Sequence, residues 1–380
     1  MKDIAQARGA VQGPADRPRG RARPVWRRVL VICSTGLLAL LVAGCASQPS
    51  PAQLTLGPAP HAELATASRL TDGRGRFRQI FCGLLARRGD VAADPADCRR
   101  FLWRLDDERV GPLGPLPEPD PALRVYLVPG AFSECLGEDA MPFRLAAESL
   151  AERGYRISTI VVSGRSGPEH NARQIAEALK AEPGPAVLIG YSKGANDVLA
   201  FLVDYPEEAA GVAAVVSVAG AIGGSPLAES ADAVYAGLLG GIAMPRCQPG
   251  DGQVLESLRP EVRRTWLASN VLPPAVRYFS VAAFTTREQV SSGLVPSWQL
   301  LLEHDPANDG QLLARDMLIP GSTLLGYVNA DHWAAATDVE VVHPILGPPP
   351  RVPPFPRTVL LEAILLQVSE SLGADFPPVE

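Results

Sequence analysis

Six apolar runs of strand length recur between Leu123 and Val328, and helical stretches fill most of the gaps between them. The runs are Leu123–Val128, Arg156–Val162, Ala186–Ile189, Ala213–Val218, Val276–Ala283 and Thr323–Val328. Helical patterns occupy Met141–Arg153, Glu169–Ala181 and Lys193–Val203. Short buried strands that alternate with helices call for a mostly parallel sheet with helices on both faces. The expected fold class is therefore α/β. Ligands of such sheets bind at the carboxyl ends of the strands, so the loops that leave these runs are where chemistry is to be sought.

The third run leads into Gly190-Tyr191-Ser192-Lys193-Gly194, and a helix follows at once. This is the G-x-S-x-G pattern in strand–turn–helix context, the arrangement that lifts a serine hydroxyl out of a sheet. Glycines flank Ser192 because the turn is too tight for bulky neighbours. The helix that follows directs its positive end at developing negative charge. Neither a G-x-G-x-x-G nor a G-K-[ST] element offers a nucleotide-binding alternative.

A nucleophilic serine needs a base, and the chain holds five histidines. His61 lies far upstream, His170 opens a helix before the serine, His304 precedes an acidic loop and His343 precedes a proline. His332 follows the last strand-like run and comes after the serine, the chain order Ser, acid, His used on sheets of this kind. The acid that orients the imidazole should follow the preceding strand. There Asp305-Pro306-Ala307-Asn308-Asp309-Gly310 offers Asp309, with Asp305 as the alternative. Asp331 adjoins the histidine in sequence and is expected to face away. An oxyanion needs two converging backbone N–H groups. Lys193, after the nucleophile, supplies one. The loop Val128-Pro129-Gly130-Ala131-Phe132 supplies the other, from Ala131 or, second, Phe132. The Lys193 side chain is not needed for this and reads as a solvated helix group.

With these pieces in place, residues 123–345 resemble the α/β-hydrolase superfamily and are similar to the bacterial secreted triacylglycerol lipases. The resemblance implies a Ser–Asp–His triad of Ser192, Asp309 and His332 that works on esters through an acyl-enzyme. Two departures stand out. Those lipases carry His-Gly before the oxyanion residue, where this chain has Pro129-Gly130. They also bind calcium just after the histidine, where this chain has Trp333-Ala334-Ala335. No metal or other cofactor is expected.

The amino terminus speaks to compartment. Six arginines between Arg17 and Arg28 precede an apolar stretch from Val29 to about Val42, which ends in small residues. This is the layout of a secretory signal, and the stretch is short for a membrane span. Leu41-Val42-Ala43-Gly44-Cys45 resembles a bacterial lipobox, which implies lipidation at Cys45 and a place in the bacterial cell envelope. Ala46 leans the sorting towards the outer membrane. Residues 1–44 are thus read as signal and 45–62, rich in Ser, Pro and Ala, as a tether. Residues 63–122 are read as a small helical extension. The hydrolase-like domain takes 123–380, with a helical cap insertion at about 222–275 that holds Val234, Tyr235, Leu238 and Leu239.

Four cysteines remain beyond Cys33 and Cys45. In an exported chain an even number suggests disulfides; Cys82 with Cys98, and Cys135 with Cys247, is the favoured pairing. Residues 1–44 contain eight of the 35 Lys/Arg and two of the 41 Asp/Glu, so the rest carries 27 basic and 39 acidic residues, net −12. Such a chain attracts no phosphate backbone, and nucleic acid is excluded as an expected partner. The expected partners are an ester substrate and, through the lipid anchor, a membrane. The expected activity is ester hydrolysis, with amide hydrolysis or an idle binding lipoprotein as alternatives.

Overall fold

Each of the six runs becomes a strand, and their parallel alignment puts the loops that follow them at one end of the sheet. The computed structural model describes residues 69–88, 98–105, 108, 123–182, 184–230, 250–339, 345, 347–349 and 352–373. The signal segment, Cys45, the tether, Cys247 and the cap residues Val234, Tyr235, Leu238 and Leu239 lie outside them. The strands are β1 (Thr71–Asp72), β2 (Leu102–Trp103), β3 (Arg124–Val128), β4 (Arg156–Thr159), β5 (Ala186–Tyr191), β6 (Val212–Val218), β7 (Arg277–Phe284) and β8 (Thr323–Asn329). The 8-stranded sheet runs β1-β8-β7-β6-β5-β3-β4, with β2 paired to β8 off this path. All neighbours on the path are parallel.

Two-sided burial explains why all the runs but that of the mostly exposed β4 are continuously apolar. Every residue of β3 and β5 is buried. Alternate side chains feed two cores. Val125, Leu127, Val187 and Ile189 pack on one face, against the helix Arg74–Arg88, the helix Arg144–Ala151 and the last helix, Arg357–Gly373. Tyr126, Val128 and Leu188 pack on the other, against the helices Pro168–Ala181 and Lys193–Asp204. Three helices, Pro168–Ala181, Pro206–Ala209 and Pro260–Ser269, begin on proline, whose fixed φ suits a first helical turn and whose missing N–H would be unpaired there anyway.

The segment before residue 123 differs in part from the helices expected of it. Its helix Arg74–Arg88 is joined by β1 and β2, which both pair with the side of β8 that β7 leaves open, one at each end. Thr71 and Asp72 pair in parallel with Thr323 and Leu324, while Leu102 and Trp103 pair antiparallel with Val328 and Tyr327. A two-residue strand has no period to read, which is why the sequence does not reveal it. The segment is stapled by Cys82–Cys98. Cys135 is also disulfide-bonded.

At the other edge β4 is shorter than the expected run. The Ile160 N–H still donates to the Leu127 carbonyl, but the chain then leaves the sheet and builds the loop Ser163–Gly167. Among the described residues, no helix is long and apolar enough to cross a membrane.

Candidate active site

The turn after β5 is built by close approach. Ser192 has φ 55° and ψ −129°, a conformation rare for a residue with a side chain. A Cβ on Gly190 would lie 2.6 Å from the Ala195 nitrogen, and one on Gly194 2.5 Å from the Pro129 carbonyl oxygen. Glycine is therefore required on both sides of the serine. The strained turn is held by its neighbours. The Ser192 N–H donates to the Val218 carbonyl at 3.2 Å, and its own carbonyl accepts from Ala221 at 2.9 Å.

Loops from three strands meet over this turn. His332 Nε2 lies 2.9 Å from Ser192 Oγ, and His332 Nδ1 lies 2.6 Å from Asp309 Oδ2. The serine O–H has no carboxylate in reach and the aspartate can only accept. The imidazole therefore carries its proton on Nδ1, donates it to Asp309, and leaves Nε2 to accept from Ser192. Asp309 is fully buried, and its Oδ1 accepts from the Gln311 and Leu312 N–H groups at 2.8 and 2.7 Å. His332 is held by its backbone as well. Its N–H donates to the Asp309 carbonyl at 2.8 Å, and its carbonyl accepts from the Tyr191 hydroxyl at 2.7 Å. Burial holds that hydroxyl well above its ordinary range, so Tyr191 remains a donor. Sequence reasoning missed Tyr191, because nothing in the order of residues says that the neighbour of the serine reaches the histidine's carbonyl.

Asp305 and Asp331 are engaged elsewhere. Asp305 accepts from the Ala307 N–H and pairs with Arg315 at 2.7 Å. Asp331 caps the short helix His332–Ala336 through the Ala334 N–H at 2.9 Å and accepts from Ser291 N–H at 2.6 Å. Burial raises its carboxyl above the ordinary value. His170 sits against Arg173, and His304 is exposed; His61 and His343 lie outside the described residues.

Two backbone donors flank the serine. The Lys193 N–H opens the helix Lys193–Asp204, and Ala131 follows Gly130, where a Cβ would lie 2.7 Å from Ser192 Cβ. Neither N–H has a hydrogen-bond partner among the described residues. The Phe132 N–H, the second choice, is occupied by the Gly164 carbonyl at 3.1 Å.

The reading of the Lys193 side chain as solvated is corrected. It is 1% exposed, and its Nζ donates to Asp197 Oδ1 at 2.5 Å; Asp197 is equally buried. Burial pushes the Asp197 carboxyl up and the adjacent Lys193 pulls it back down. The i, i+4 spacing permits such a pair on a helix, but its desolvation is decided by what packs over it, which the sequence does not display. Among the described residues, no cluster of three or more His, Cys, Asp or Glu side chains could hold a metal ion.

No protein-family model matches the sequence, and a search of curated proteins gives no match. Solved structures do match. The metagenomic carboxyl esterase MGS0156 shares 39% identity, over 81% of this chain and 95% of that one, with a TM-score of 0.74. The mature lipase BlEst2 of Bacillus licheniformis shares 22% over 62% of this chain and 96% of its own, with a TM-score of 0.47. The lipase of Staphylococcus hyicus shares 13%, over 68% and 99%, with a TM-score of 0.45. On the identity and coverage it shares with the carboxyl esterase, this chain belongs to the α/β-hydrolase family of esterases and lipases and is a hydrolase.

Proposed function

We propose that the protein hydrolyses carboxylic esters through an acyl-enzyme on Ser192. The observation that carries this is the unbroken hydrogen-bonded line Ser192–His332–Asp309 at the carboxyl ends of β5, β7 and β8. His332 Nε2 takes the Ser192 proton as Oγ attacks the acyl carbon. The carbonyl oxygen becomes an oxyanion, and the Lys193 and Ala131 N–H groups donate to it. Asp309 keeps the imidazole in the productive tautomer and stabilises it once protonated. His332 then protonates the leaving alcohol. Water enters, loses a proton to His332 and attacks the acyl-enzyme, which releases the acid and restores Ser192.

A fluorophosphonate probe tests the assignment. An adduct on Ser192 by mass spectrometry, absent in Ser192→Ala and suppressed in His332→Ala, is expected. Asp309→Asn should cut ester turnover on the order of 10⁴-fold, the scale of losing tautomer control in another serine hydrolase. A folded wild-type protein that takes up no probe, or full activity in Asp309→Asn, would overturn the triad.

The amino-terminal pattern supports a second, independent part of the proposal: lipidation at Cys45 anchors the enzyme in the bacterial cell envelope. Labelled palmitate should enter the wild-type chain and not Cys45→Ala. Equal labelling of both would reject it.

A further inference from the structure

Both proposed oxyanion donors are tied to one dipeptide outside the Ser192–His332–Asp309 line. The loop after β4 carries Ser163 and Gly164. On one side, Phe132 donates its N–H to the Gly164 carbonyl at 3.1 Å, and the Gly164 N–H returns a bond to Glu134 Oε1 at 2.7 Å. This reciprocal clasp holds the segment that carries Ala131. A Cβ on Gly164 would sit 2.6 Å from the Phe132 nitrogen and 2.7 Å from its Cα, so the two backbones touch. On the other side, Asn171 Nδ2 donates both to the Ser163 carbonyl at 2.9 Å and to Asp197 Oδ2 at 2.8 Å, and Asp197 holds the Lys193 Nζ. Asn171, Asp197 and Lys193 are all buried. The Ser163 N–H is itself held, by Gln174 Oε1 at 2.9 Å.

We propose that Ser163–Gly164 is the yoke that sets the spacing of the two oxyanion donors, and that Glu134 and Asn171 are the positioning residues that fasten it, one towards each donor. This rests on the oxyanion assignment above. The physical reason is tolerance. A donor stabilises the developing charge only if it is already in place when the charge forms, and Ala131 and Lys193 come from loops of different strands. A shared anchor removes the relative motion that two separate loops would keep. Asp251, within the cap insertion, rests on the same loop: Gly167 donates to Asp251 Oδ1 at 2.9 Å, Asp251 N–H to Ser166 Oγ at 3.1 Å, and Ser166 Oγ to Ser163 Oγ at 2.9 Å. The yoke is therefore braced from above as well.

The test is steady-state hydrolysis of a chromogenic short-chain ester by the full chain and its Glu134→Ala, Glu134→Gln, Asn171→Ala and Glu134→Ala/Asn171→Ala variants, with melting temperatures alongside. Glu134→Ala should lower kcat about tenfold to a hundredfold with KM within about twofold, less than the roughly 10²–10³-fold cost of deleting a donor outright. Glu134→Gln should recover most of kcat, since its amide oxygen still accepts the Gly164 N–H. The double variant should lose much less than the product of the single losses, because both clasps act through one dipeptide. Wild-type kcat in Glu134→Ala, no recovery in Glu134→Gln, or multiplicative losses would each overturn the yoke. Should Asn171→Ala fail to fold, the two Glu134 variants decide by themselves. Ser192→Ala in the same assay separates the two levels of the argument. Surviving turnover there removes the nucleophile assignment on which the proposal stands. Lost turnover there, with wild-type kcat in Glu134→Ala, removes the yoke alone.

Discussion

Ser192 carries a side chain at φ 55° and ψ −129°, a sparsely populated backbone conformation that costs roughly 1–3 kcal/mol. Such strain persists only where the surroundings over-determine it, and here the bonds to Val218 and Ala221 do so. Comparing two inactive variants isolates the cost. Both Ser192→Ala and Ser192→Gly lose the hydroxyl, but only glycine relieves the backbone. Ser192→Gly should therefore be the more stable by about 1 kcal/mol, and equal denaturation midpoints would show that the turn is unstrained. A second residue-scale prediction concerns Asp316. Burial raises its carboxyl to about 6, against a smaller opposing pull from Arg315. The folded chain thus holds this proton more tightly than the unfolded one. Below about pH 4 both states are protonated. Between about pH 4 and 6 the unfolded chain gives the proton up first, so stability falls as pH rises through that window. Asp316→Asn should melt higher than wild type at pH 8 and level with it near pH 3.5. A melting-temperature difference that does not change with pH would remove Asp316 as the cause.

At the scale of elements, strands β3 and β5 to β8 were legible because they are largely buried on both faces, which leaves a continuous apolar run bounded by polar turns, whereas the edge strand β4 is mostly exposed. The helix Arg74–Arg88 falls within the segment 63–122 that was read as helical, without bounds. Phe77, Ile80, Phe81 and Leu84 recur at helical spacing and all are buried. They face the sheet beside β8 and the last helix, which makes this amino-terminal helix part of the main core. Phe81→Ala should accordingly cost about 3–5 kcal/mol in denaturant unfolding. A cost below about 1 kcal/mol would make the helix a peripheral addition. The strands β1 and β2 were illegible for the opposite reason. Two residues show no alternation, and both exist only because β8 presents a backbone for them to pair with. The end of β4 was misjudged for a related cause: Ile160–Val162 is apolar enough for a strand, yet it leaves the sheet to form the loop that clasps Phe132 and Glu134.

Across the whole molecule, covalent closure adds to packing. Cys82–Cys98 spans 16 residues, and closing a loop of that length restricts the unfolded chain by roughly 3 kcal/mol. The Cys82→Ala/Cys98→Ala variant should unfold at a correspondingly lower denaturant concentration. An unchanged midpoint would mean that the bond contributes nothing net to this fold. The order of residues along the chain was enough to determine the parallel α/β sheet, the turn that bears Ser192, and the candidates Asp309 and His332, because each is a local pattern or a position relative to a strand end. Tertiary structure alone decided what those residues touch. It took Asp305 and Asp331 into other bonds, gave the Phe132 N–H to Gly164, buried Lys193 against Asp197, and brought the Tyr191 hydroxyl to the His332 carbonyl. Hydrogen bonds between loops far apart in sequence leave no periodic trace, since their partners are chosen by how the strands lie side by side.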